Sequence, residues 1–117
     1  MIYLQNDLRK AQPPSLANRL AASGRLRELK KLVAEDPEVL SRGDENGWAP
    51  IHEAARGGQS DVIKYLIEKK VDINVRTNSG RGATALWWAE EENGHDHECV
   101  TLLTNAGGIR QAPIRGN

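Results

Sequence analysis

The stretch GRGATALWWAEEENGHDHE, Gly80 to Glu98, gathers the most reactive side chains of this 117-residue chain. It holds two tryptophans, four glutamates, two histidines and one aspartate, and Cys99 comes next. His95, Asp96, His97, Glu98 and Cys99 are all metal-ligand types, and a zinc site needs three or four such groups on one point. The same residues also read as a helix start. Asp96 falls at an N-cap position, and Glu98 in the first turn complements the helix dipole. His95 and His97 alternate there and need not converge.

Catalysis finds less support. His52 is an imidazole base with no serine or cysteine nucleophile in its motif, and no carboxylate pair or triad spacing accompanies it. NSGRG at 78–82 has glycines but no following G-K-[ST], so it is not a phosphate loop. No catalytic residue, metal ligand or cofactor is expected. The acids of EEE at 90–92 close a helix, where they oppose its dipole. They suit a solvated face or a patch that docks a basic partner.

Trp48 and Trp88 offer large, rigid contact area. Glu53 and Arg56 are three residues apart, as are Trp88 and Glu91, so each pair shares a helix face. The other reading of both tryptophans is that they fill a packing interface.

The elements that position these residues are set by a repeat. GRLRELKKLV from Gly24, GQSDVIKYLI from Gly58 and GHDHECVTLL from Gly94 each open on glycine. Each then places apolar residues five, eight and nine positions later: Leu29, Leu32, Val33; Ile63, Leu66, Ile67; Cys99, Leu102, Leu103. That spacing forms one helix face. Ser60 and Asp96 are the expected N-caps. A shorter helical segment precedes each glycine, with Pro50 at a first helical position and Thr84 as an N-cap. DENG at 44–47 and TNSGRG at 77–82 are turns between units. The unit is therefore helix, tight turn, helix, loop, about 34 residues long. One-residue insertions near Arg81 and in EEEN lengthen the last unit.

The composition sets the class. Apolar residues make up 38% and charged residues 27%, with no phenylalanine, which suits one small globular domain. Net charge is zero, which argues against a nucleic-acid binder. Residues 1–34 nevertheless hold seven Lys or Arg against two Asp or Glu, so the basic charge gathers at one end. One cysteine cannot form an internal disulfide, MIYLQNDLRK has no signal pattern, and no apolar run spans a membrane. An intracellular, cytoplasmic location is expected.

DENGWAPIHEAARGG from Asp44, followed by VIKYLIEKKVDIN, resembles the ankyrin repeat. GATALWWAEEENG is a weaker match, and the first unit keeps only the helix pattern. The resemblance covers about residues 15–109. It implies an all-α solenoid of about three repeats with finger loops, between an extension over 1–14 and a disordered tail over 110–117. It also implies a protein–protein interaction module that is monomeric alone and has a protein or peptide partner, not nucleic acid or membrane. Its concave face would be lined by Trp48, Glu53, Arg56, Arg81, Trp88 and Glu91. A docking domain of a larger enzyme is the alternative, and a metal-responsive module using His95 and His97 is a second. Three departures stand out. Ala49 replaces the family's threonine, Trp87 replaces its histidine, and Lys70 replaces the glycine after the second helix. Trp87 could replace part of the lost pair by donating its indole N–H to a backbone carbonyl.

Overall fold

The computed structural model describes residues 14–114. They form three antiparallel helix pairs: α1 (Pro14–Ala22) with α2 (Leu26–Glu35), α3 (Pro50–Arg56) with α4 (Ser60–Glu68), and α5 (Ala85–Asn93) with α6 (Glu98–Asn105). Short 3₁₀ turns lie at Pro37–Leu40 and Asn78–Gly80, and no strand occurs among the described residues. The extension expected over 1–14 lies outside them up to residue 13. All-α architecture in three repeats is what the glycine spacing predicts.

The turn within each pair is a steric requirement. Gly24, Gly58 and Gly94 all have positive φ, where a Cβ is penalised. At Gly24 an added Cβ would also lie 2.4 Å from the Gln59 Oε1 of the next repeat.

The core has two layers. The inner helices α1, α3 and α5 stack side by side through small residues, Ala17 and Ala21, Ala54 and Ala55, Ala85 and Ala89, all fully buried. The outer helices supply bulk through Leu29, Ile63, Leu66 and Leu103, also fully buried. Each such leucine contributes about 1.5–3 kcal/mol by leaving water. No described helix is long and apolar enough to cross a membrane.

Helix starts depart from expectation twice. Ser60 is the first residue of α4, not its cap; Gln59 precedes it without a side-chain cap bond. Ser60 Oγ instead lies 3.5 Å from Cys99 Sγ. In the last repeat His97, not Asp96, caps α6, its Nδ1 accepting the Cys99 N–H at 3.1 Å. The helix begins four residues after Gly94, against two after Gly58, so the cap moves past Asp96. Pro50 opens α3 as the sequence implies, and Thr84 flanks α5, though its hydroxyl caps nothing. Lys70 sits in the left-handed region, with φ 61°.

The finger loops stack in register. Asn78 N–H donates to Asn46 O at 2.8 Å, and Ile114 N–H donates to Arg81 O at the same distance. The chain after the last helix thus lies on the second of these fingers as that finger lies on the first. Gln111 and Thr84 exchange bonds, and Arg76 Nη2 donates to Ala112 O at 2.8 Å. Residues 110–114 are consequently tied down, where disorder was expected, because their partners are backbone groups and polar side chains rather than a buried apolar face.

Candidate partner-binding site

The inner-helix face is organised around Trp48. Asp44 Oδ1 accepts the N–H groups of Asn46 and Trp48, each at 2.9 Å. The Trp48 carbonyl accepts from Asn18 Nδ2 at 2.9 Å and from the Asp44 N–H at 2.8 Å. The finger therefore closes on its own aspartate and is bolted to α1, which fixes where the indole stands.

That indole meets residues from two repeats. Its ring lies 4.8 Å from Trp88 and 5.8 Å from His52, centroid to centroid. The Arg56 guanidinium sits over it at 5.6 Å, within cation–π range. Trp87 meets Trp88 edge-on at 4.9 Å. Trp88 is half-buried, packs against the core, and has a buried Nε1 without an acceptor. It is thus both part of the repeat interface and part of the exposed face. The indole of Trp87 makes no hydrogen bond among the described residues, so its expected donation to a backbone carbonyl does not occur.

Glu53 lies one turn before Arg56. Burial pushes its carboxyl pKa up and Asp44 adds to this, while Arg56 opposes both. The structure thus brings Trp48, Glu53, Arg56 and Trp88 together. Glu91, exposed and one turn beyond Trp88, pairs with Arg110 Nη2 at 3.2 Å. Glu90 pairs with Arg110 Nε and, at 3.4 Å, with His95. Arg81 stands exposed on the finger loop, apart from the others. Arg110 had no signal in the sequence, because a tail without apolar pattern offers no reason to place it.

The reactive-looking residues serve the framework. His52 is fully buried; its Nδ1 accepts the Ala49 N–H at 2.9 Å and its Nε2 donates to Val75 O at 2.8 Å. Burial lowers its pKa, which keeps the ring neutral in this tautomer. Burial likewise raises the Cys99 thiol pKa; Ser60 opposes this and Glu98 adds to it. Such a thiol forms little thiolate. No group of three or more His, Cys, Asp or Glu positioned for a metal occurs among the described residues, and His97 spends Nδ1 on its helix.

A family model described as ankyrin repeats, three copies, matches residues 17–112. Human NAD-capped RNA hydrolase NUDT12 is 31% identical over 90 residues, 75% of this chain and 18% of that protein. Ankyrin repeat-containing protein P1E11.10 of Schizosaccharomyces pombe is 38% identical over 76 residues, 61% of this chain and 36% of that protein. Among solved structures, a chain of the Bdellovibrio bacteriovorus Bd0816 predatory endopeptidase in complex with immunity protein Bd3460 is 33% identical. It superposes with a TM-score of 0.72 over 86% of this chain and 50% of that one. The chain spans about a fifth to a third of these curated relatives.

Proposed function

Because this chain belongs to the ankyrin-repeat family, we propose that it recognises a protein or peptide on the face of its inner helices and performs no chemistry itself. The family's fold is a binding module, and the observation that carries the reading is the aromatic cluster. Trp48 and Trp88, from adjacent repeats, meet at 4.8 Å with their rings tilted, and Arg56, exposed to solvent, lies over Trp48. Rigid aromatics ringed by charge are what binding hot spots use. Glu53 and Arg56 give that face both signs of charge, which suits a folded or peptide partner better than a polyanion such as nucleic acid. The absence of catalysis is supported by His52, whose two ring nitrogens are both bonded to backbone. A monomeric state and a cytoplasmic location belong to the same reading.

The test compares wild type, Trp88→Ala and Arg56→Ala as baits, then measures the captured partner by calorimetry. Trp88→Ala should weaken the complex by about 2 kcal/mol or more. Because Trp88 also packs against the core, Arg56→Ala is the cleaner variant: exposed, it should leave the melting temperature unchanged and weaken binding. A partner whose affinity neither change alters binds elsewhere.

A second reading, docking domain of a larger enzyme, is favoured by one finding. The match to the hydrolase covers only 18% of that protein. The gene in its full extent distinguishes the two.

A further inference from the structure

The outer helices α2 and α4 converge on one ring, and the charges around it are of one sign. The Lys30 ammonium, from α2, stands 5.5 Å from the Tyr65 ring centroid, and that of Lys69, just past α4, stands at 5.7 Å. Like charges gathered on one ring repel each other. Yet Lys30, Lys69 and the neighbouring Lys70 form no ion pair among the described residues. Lys70 is also held at φ 61°, a strain of about 1–2 kcal/mol that glycine would not carry. Strain kept for a lysine at such a position points to a use for the lysine.

The three cations edge a groove. Two adjoining concavities, of about 410 and 360 Å³, share Val33, Pro37 and Lys69. Tyr65 and Lys30 line the first, Lys70 and Glu38 the second. Burial pushes the Tyr65 phenol pKa up, so it stays protonated and able to donate. The groove therefore offers three ammonium groups against the one carboxylate of Glu38, and a hydroxyl, beside an apolar floor.

We propose that this outer groove binds an acidic segment of a partner protein. A carboxylate or phosphate oxyanion sits between Lys30 and Lys69, and the apolar side chain beside it rests on Val33 and Pro37. Charge complementarity selects the sign of the occupant, and the apolar floor selects a peptide. Nucleic acid fits less well. Stacking of bases needs free aromatic faces, and the ring here is buried and covered by the chain's own lysines. This surface is separate from the tryptophan face and stands whether or not that face binds.

The experiment titrates the full chain into two fluorescein-labelled peptides by anisotropy. One carries glutamates flanking leucine; the other carries phosphoserine in place of glutamate. A single-stranded oligonucleotide of equal charge is the third probe. At least one peptide should bind, with affinity falling as salt rises. Lys30→Gln with Lys69→Gln should weaken binding tenfold or more while the circular dichroism spectrum and melting temperature hold. Lys70→Gly should weaken it several-fold in a protein at least as stable. Trp88→Ala should leave it unchanged, which separates this surface from the tryptophan face. The tighter peptide identifies the oxyanion. The proposal is overturned if neither peptide binds, if the lysine variants bind like wild type, or if the oligonucleotide binds as tightly with the same lysine dependence.

Discussion

The middle and last repeats solve one structural problem with different halves of one device. In both, the turn entering the inner helix must be joined to the chain beyond the outer helix. The middle repeat has Ala49 and His52 in the two slots, and the histidine makes both bonds, to Ala49 N–H and to Val75 O. The last repeat has Thr84 and Trp87, and the threonine makes two bonds, each to the chain beyond the outer helix. Its hydroxyl donates to Ile109 O at 2.6 Å and accepts the Gln111 N–H at 3.1 Å. Trp87 serves the aromatic cluster instead. Either residue alone can join a repeat to the segment beyond it. In the last repeat that segment is the chain just after the outer helix, so residues 109–114 belong to the fold.

The largest effect should come from breaking the middle joint. His52→Ala leaves the buried Ala49 N–H and the part-buried Val75 carbonyl without their partner and opens a cavity where the ring stood. A loss of about 3 kcal/mol in urea unfolding is expected. The joint also carries a pH signature. Burial holds the folded pKa of His52 below its ordinary 6.5, so near that pH the unfolded chain binds the extra proton more readily. Stability should therefore be full above about 6.5 and decline as pH falls through that value toward the folded pKa. His52→Gln should flatten this slope. An unchanged slope would mean that another group titrates on unfolding.

The corresponding break in the last repeat should be smaller and local. Thr84→Val keeps the shape and removes both hydroxyl bonds, at a cost of about 1–2 kcal/mol. Hydrogen exchange should quicken at Gln111 and Ile114 while α3 and α4 stay protected. If those helices lose protection too, the two joints are not independent.

How far the sequence discloses this molecule depends on where each signal lies. The repeat is legible because the core obeys a short period: a glycine, then apolar residues at fixed offsets that a helix turns to one side. Lys70's conformation is legible for the same reason, as a departure within a pattern. The role of His97 is hidden because Asp96 lies where Ser60 lies in the repeat before and is a common cap by residue type, while the outer helix of the last repeat begins two residues later. The tail is hidden because Gln111, Ala112 and Ile114 are held through backbone groups, which leave no mark on residue type. The convergence of Lys30 and Lys69 on Tyr65 is hidden because Lys30 comes from the neighbouring repeat. Of the six residues assigned to the concave face, Trp48, Glu53, Arg56 and Trp88 stand together, since the finger carrying Trp48 lies beside the inner helices of its own and the next repeat. Arg81 stands apart on its loop. Glu91 is engaged by Arg110, which lies beyond the last repeat and so has no counterpart in the pattern.

The smallest effect tests the comparison one position further along, where each outer helix ends. The middle repeat puts Lys70 in the left-handed region at φ 61°, and the last repeat puts Gly107 there at φ 91°. Lys70→Gly should remove the Cβ strain of about 1–2 kcal/mol but restore glycine's freedom to the unfolded chain. The two effects oppose, and the net should be neutral to about 1 kcal/mol stabilising. Gly107→Lys is the reverse exchange. A Cβ at Gly107 meets nothing within 4 Å, so no clash adds to the backbone term and a loss of about 1 kcal/mol is expected. Urea unfolding of the two variants should thus move in opposite directions. A Lys70→Gly protein that loses more than about 1 kcal/mol would show that the lysine's contact with its surroundings outweighs its strain. The middle and last repeats would then differ in how their outer helices are held as well as in how their inner helices begin.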